Sequence, residues 1–147
     1  MDEYYNITDS LGFIIYGTAL ALKSSLQRCF RENGQEITAE QWGIIRHLWE
    51  EEGLSQREIG QKASKDKPNI TRMLDALEKK HLIFRQPDPR DRRKFCIYLT
   101  KEGKQLHERL FPLVRDMRDR ITQNLSEPEV DLLKRLLNKI RQSISQP

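Results

Sequence analysis

At 147 residues, with 37% hydrophobic and 33% charged side chains, the chain has room for one domain, or for one domain with an appended assembly element. The net charge of +4 is too small to argue for a polyanionic partner, but residues 57–94 hold twelve Lys/Arg against six Asp/Glu, a local +6 that leaves −2 elsewhere. An apolar run of about 18 residues is lacking, which excludes a membrane-spanning helix. Two distant cysteines, and an N-terminus without a basic and apolar leader, point to a reducing, cytoplasmic setting.

In chain order, Leu11 to about Phe30 places Leu11, Ile14, Ile15, Thr18, Ala19, Leu22, Leu26 and Phe30 at three- and four-residue steps, which predicts a long helix. Phe13, Tyr16, Leu20 and Ala21 widen its apolar stripe beyond what one packing partner covers. A second helix is expected from Thr38 to about Trp49. Thr38-x-x-Gln41 is its capping box, Ile37 and Trp42 the hydrophobic staple, and Trp42, Ile45, Leu48 and Trp49 the buried face. Ser55-x-x-Glu58, stapled by Leu54 and Ile59, opens a short helix to about Ala63. Ser64 and Lys65 then turn the chain, and Asp66 caps a helix that begins at Lys67 and tolerates Pro68 in its first turn.

In that helix Ile70, Met73, Leu74 and Leu77 form one apolar stripe, while Pro68, Thr71, Arg72, Asp75 and Lys79 occupy the opposite face, with Asn69 on its flank. Leu82 to Arg85 and Phe95 to Leu99 read as strands, the second by its alternation with Cys96 and Tyr98. Asp88 to Arg93 between them is a turn-rich loop carrying three arginines. Thr100 caps a long helix to about Asn124, with Leu106, Leu110, Leu113, Met117 and Ile121 on one seam and an expected kink at Pro112. Ser126-x-x-Glu129, stapled by Leu125 and Val130, starts a last helix whose Leu133, Leu136, Leu137, Ile140 and Ile144 are apolar.

A short helix, a turn, a longer basic helix and a hairpin tipped with arginines outline a winged helix-turn-helix. The expected fold is therefore mainly α with a small β-hairpin wing. Residues 35–100 form the winged helix-turn-helix reader, and residues 1–34 and 101–147 a helical dimerisation stem, integrated in one domain. In such a reader the helix enters the DNA major groove and the tip reaches the adjacent minor groove. The wide apolar faces of the first and last two helices would stay wet in a monomer, so a homodimer is expected; a self-contained bundle is the alternative.

These residues resemble the MarR-type transcriptional regulators, winged-helix dimers of bacteria and archaea, over nearly the whole chain. Asp88-Pro89-Arg90-Asp91-Arg92-Arg93 fits that family's wing signature D-x-R-D-x-R, Leu99-Thr100-x-x-Gly103 its entry to the next helix, and Ile70 to Lys80 its recognition helix. The resemblance implies that Arg93 inserts into the minor groove, with Arg90 beside it on the wing and also placed for a phosphate, and that Asp91 braces the wing through a salt bridge. It places Pro68, Asn69, Thr71 and Arg72 at bases or backbone in the major groove, and Ser55, Lys65, Lys67 and Lys79 on phosphates. One departure is His81, which stands where the family usually has a glycine and the chain turns with positive φ.

Many proteins of this type bind small aromatic ligands between stem and reader, and others sense oxidants through cysteine. Tyr16, Ile45, Arg46, His47 and Trp49 are candidates for a ligand cleft, with core packing the alternative for Ile45 and Trp49. Cys29, between Arg28 and Arg31, is the candidate redox thiol, whereas Cys96 reads as a small core hydrophobe. His47, His81 and His107 are scattered, and neither a metal-ligand spacing nor a phosphate loop or nucleophile elbow occurs, so no metal, cofactor or enzymatic role is expected. The expected function is a ligand-responsive homodimeric repressor on a pseudo-palindromic operator, with half-sites about 10 bp apart. Its partners would be double-stranded DNA, a second copy and a small aromatic effector. A non-catalytic protein-binding adaptor and a weakly selective architectural DNA binder stay open as other classes.

Overall fold

The computed structural model describes residues 6–63 and 67–145, without the side chains of Lys67 and Pro68. The chain divides into two compact units, Met1–Phe111 and Pro112–Pro147. Its helices are α1 (Leu11–Glu32), α2 (Ala39–Glu50), α3 (Gln56–Ala63), α4 (Lys67–Lys79), α5 (Lys101–Ile121) and α6 (Glu127–Ser145). The strands β1 (Leu54–Ser55), β2 (Ile83–Pro87) and β3 (Phe95–Leu99) form an antiparallel sheet in the order β1-β3-β2.

Side-chain caps set the helix starts, because the first N–H groups of a helix have no intrahelical partner. Thr38 and Gln41 complete the reciprocal box at α2, with Oγ1 accepting from the Gln41 N–H at 3.0 Å and the Gln41 side chain accepting from the Thr38 N–H at 3.1 Å. Ser126 and Glu129 do the same at α6, at 3.3 and 3.0 Å, and those bonds hold the Glu129 carboxyl below its ordinary pKa. Ser55 accepts from the Glu58 N–H at 3.1 Å and caps α3. The expected cap of α4, Asp66, lies outside the described residues.

The core of the first unit gathers Phe30 of α1, Trp42, Ile44, Ile45 and Leu48 of α2, Ile59 of α3, and Ile70, Leu74 and Leu77 of α4, with Ile83, Ile97 and Leu99 from the sheet. On α2 the buried face is wider than the expected stripe: Ile44 is fully enclosed, and Trp49 stands at its margin, 39% exposed. Three other boundaries differ from expectation. β1 has only two residues, too few to leave a period in the sequence, and exists because Leu54 and Ser55 pair with Ile97 and Cys96 of β3. β2 begins one residue later than expected, since the Leu82 N–H closes the C-terminus of α4 on the Leu77 carbonyl at 3.1 Å, and it extends to Pro87. α5 runs through Pro112 and stops at Ile121, where residues 122–125 turn and the Leu125 N–H bonds the Thr122 carbonyl at 2.9 Å.

α4 leads into the wing through a closure at His81, which takes φ 59°. Its N–H donates to the Glu78 carbonyl at 2.9 Å and that of Leu82 to the Leu77 carbonyl, the paired bonds of a left-handed helix cap. Thr100 ties this corner to α5. Its N–H bonds the Leu82 carbonyl at 3.0 Å, its hydroxyl donates to the His81 carbonyl at 2.6 Å, and the same oxygen accepts from the Gly103 N–H at 3.0 Å. A Cβ on Gly103 would lie 2.1 Å from the Leu82 carbonyl oxygen, so the backbones of α5 and the wing base approach as only glycine allows. The Leu99-Thr100-x-x-Gly103 pattern is thus a lock between α4, the wing and α5.

Candidate nucleic-acid interface

The interface is built on α4. Its apolar stripe is anchored, with Ile70, Leu74 and Leu77 enclosed, which turns Arg72 and Lys79 to the exposed side. Gln56 of α3 donates through its side-chain amide to Thr71 Oγ1 at 2.6 Å, so the first reader helix orients the second. The Arg72 guanidinium donates to Asn69 Oδ1 one turn earlier. Asn69 and Arg72 also border an open depression of about 410 Å³ whose other wall includes Thr38 and Gln41 at the start of α2. Lys65 lies outside the described residues, and for Lys67 and Pro68 only the backbone, in the first turn of α4, is described.

β2 and β3 pair from Ile83↔Leu99 to Pro87↔Phe95 and carry the loop 88–94 at their far end. Two aspartates fold that loop. Asp88 Oδ1 accepts from the Arg90 N–H at 2.8 Å and Asp91 Oδ1 from the Arg93 N–H at 3.1 Å, while the Asp88 N–H bonds the Lys94 carbonyl at 2.9 Å. Asp91 also meets the Arg93 Nε at 3.3 Å, yet the Arg93 side chain stays 92% exposed. Asp91 thus shapes the loop and aims an arginine outward, and Arg90 and Arg92 are exposed beside it. Ser55, at the sheet's other edge, is half-buried and uses its oxygen as the α3 cap.

The sequence reading missed Arg85. Its side chain is 20% exposed and forks to two carboxylates of α4, Asp75 at 2.9 Å and Glu78 at 3.2 Å. By helical period alone Asp75 belongs to the outward polar face. The one signal available was parity, since Arg85 shares its strand face with the enclosed Ile83.

A second cluster lies within the same unit. Of the candidate ligand-cleft residues, Arg46 and Trp49 come together, Ile45 is enclosed in the core, His47 is half-buried on α2, and Tyr16 stands 64% exposed on α1. The other members of their cluster, His107, Trp42 and Phe111, are not among the residues expected at a ligand cleft. The His107 ring stacks on Trp49 with centroids 4.0 Å apart, and on Trp42 and Phe111 at 5.4 Å each. Arg46 bonds His107 Nε2 at 3.0 Å and Glu50 at 2.7 Å and lies over the Phe111 ring. An arginine only donates, so Nε2 accepts and the ring proton sits on Nδ1, which is enclosed and has no hydrogen-bond partner among the described residues. Burial, reinforced by the Arg46 charge, lowers the His107 pKa to about 4 against a weaker upward pull from Glu50. The legible clue was spacing: Trp42 and Trp49 are seven residues apart, His107 and Phe111 four, so each pair shares a helix face.

Cys29 is half-buried on α1, its carbonyl accepting from the Asn33 side chain at 2.8 Å. Burial, then the charges of Asp88 and Glu58, push the Cys96 thiol up, away from the reactive thiolate. Among the described residues no group of three or more His, Cys, Asp or Glu is placed to hold a metal ion, and no helix is long and apolar enough to cross a membrane.

A helix-turn-helix whose second helix is basic and outward, with an arginine-tipped hairpin beside it, defines a winged-helix DNA-binding protein. Comparison with known proteins narrows the class. The sequence profile of the MarR family matches residues 37–95. The chain is 34% identical over 108 residues to the HTH-type transcriptional regulator FarR of Neisseria gonorrhoeae, covering 74% of each chain. It superposes on the transcriptional repressor CouR bound to a 23-mer DNA duplex with a TM-score of 0.83 at 29% identity, covering 92% of this chain and 94% of that one. A mutant MarR from E. coli complexed with operator DNA gives a TM-score of 0.84 at 28% identity, covering 95% and 99%. The chain belongs to the MarR family and is a winged helix-turn-helix transcriptional regulator.

Proposed function

We propose that the protein is a homodimeric repressor that occupies a pseudo-palindromic operator until a small aromatic effector alters the spacing of its two readers. The observation that carries this reading is the Asp91-braced wing, which holds Arg93 almost fully in solvent on the unit that also presents α4. Arg93 is assigned to the minor groove, where a narrow groove concentrates negative potential, with Arg90 beside it. Pro68, Asn69, Thr71 and Arg72 are assigned to the major groove, and Ser55, Lys65, Lys67 and Lys79 to phosphates. The DNA-bound relatives support the nucleic-acid half of the reading.

The homodimer is supported by apolar surface that the single chain leaves wet. Leu11, Ile14 and Tyr16 on α1, and Leu133, Leu136 and Leu137 on α6, are each between 38% and 64% exposed, and a second copy is the occupant that a two-fold regulator supplies. For the effector, the candidate contact is the outer edge of the aromatic stack, where Trp49 is 39% exposed with Arg46 in the same cluster, a combination that suits a planar anionic aromatic. Such a ligand must bind the two reader spacings with different affinity, or it shifts nothing. As a regulator of transcription the protein would act in the cytoplasm.

The test is selection from a random duplex pool at near-physiological salt, followed by sequencing. A palindrome with half-sites about 10 bp apart supports the reading. Strong, salt-sensitive retention without a motif would instead mark an architectural binder, and no retention at all an adaptor.

A further inference from the structure

We infer that Arg85 is a positioning residue for DNA binding, a clamp that fixes the angle between the recognition helix and the wing; this rests on the reading of α4 and the wing as the DNA-contacting surfaces. The hairpin leaves α4 through a single covalent corner at His81, held at its base by the Thr100 bond to Leu82. β3 is also paired with β1, and Ile83 and Ile97 are enclosed, so the base of the hairpin is fixed and the freedom left is that of its tip relative to α4. Arg85 ties β2 directly to the polar face of α4, because Nη2 meets Asp75 at 2.9 Å and Nη1 meets Glu78 at 3.2 Å, two carboxylates one turn apart on the same face of α4. A planar guanidinium held at two points resists rotation as a single ion pair does not. Arg85 lies opposite Ile97 in the hairpin, on the same strand face as the enclosed Ile83, so the clamp grips β2 from the side that packs inward.

Charge points the same way. Asp75 and Glu78 sit on a helix that faces a polyanion, where free carboxylates would weaken binding through repulsion. Paired with Arg85, they act on the wing instead. Exposed ion pairs contribute little to global stability, so the role is in orientation more than in folding.

The test uses the full-length protein on its selected operator. In the Asp75→Asn/Glu78→Gln variant, acids that merely repelled DNA would, once removed, leave tighter binding with an unchanged footprint. The clamp predicts the reverse: hydroxyl-radical protection at the operator flanks fades while protection at the centre persists. Arg85→Gln should lose the same flank protection with little change in melting temperature. In an Arg93→Ala background Arg85→Gln should cost no further affinity, since a wing without its contact gains nothing from being aimed. Additive losses, or a salt slope reduced by about one, would show Arg85 touching phosphate itself and overturn the proposal. Amide hydrogen exchange on the free protein separates the two levels of the reading. Faster exchange in β2 and β3 of either variant supports the clamp even if no operator is found, and unchanged exchange overturns it.

Discussion

Three side chains carry consequences that a single substitution exposes. Arg93 is 92% exposed and, among the described residues, pairs with Asp91 alone, so replacing it removes the proposed contact to DNA and almost nothing from the fold. Arg93→Ala should weaken operator binding by about 1–3 kcal/mol in a mobility-shift titration, with the melting temperature unchanged. His81 occupies a left-handed cap at φ 59°, where a side chain is strained and glycine is not. His81→Gly should raise stability by about 0.5–1 kcal/mol in urea unfolding, and His81→Val should lower it. His107 titrates near pH 4 in the folded chain and near 6.5 when unfolded, so the unfolded state binds the proton more readily. Its stabilising contribution is therefore complete above pH 6.5 and drains away as pH falls toward 4, by at most about 3 kcal/mol. Melting followed from pH 7.5 to 4.5 should show this slope, and His107→Phe, which keeps a stacking ring and removes the buried donor, should flatten it.

The elements show which local signals were sufficient. The caps at Thr38, Ser55, Thr100 and Ser126 were legible because an N-cap needs only two or three neighbouring residues, and each forms its bond. The stripe of α4 was legible for the same reason: helical period alone places Ile70, Leu74 and Leu77 together. What a short window misses is pairing over distance. β1 is strand only by virtue of β3, more than 40 residues later, and Arg85 appears as one more basic residue until Asp75 and Glu78 arrive beside it. The corner between wing and α5 joins both kinds of information, since the motif is local but its meaning is the approach of Gly103 to Leu82. Gly103→Ala should cost about 3 kcal/mol, the upper end for overpacking, and loosen the wing base, which amide exchange at Leu82 and Thr100 would report.

At the scale of the whole molecule the apolar faces of α1 and α6 decide the prediction. Leu137→Asp places a charge on a surface assigned to a second copy, so light scattering should show a monomer, and operator affinity should fall with the loss of two-site binding. A dimer that survives this change would move the interface elsewhere. The sequence by itself determined the helical periods, the caps, the basic reader and the arginine-tipped wing, because each depends on residues close together in the chain. Only the tertiary structure decided that Arg85 bridges strand to helix, and that His107, unremarkable among three scattered histidines, lies enclosed between two tryptophans with an unpartnered donor. Those facts depend on side chains from different elements meeting in space, at an exposed edge for Arg85 and in a low-dielectric interior for His107, where burial sets both geometry and charge.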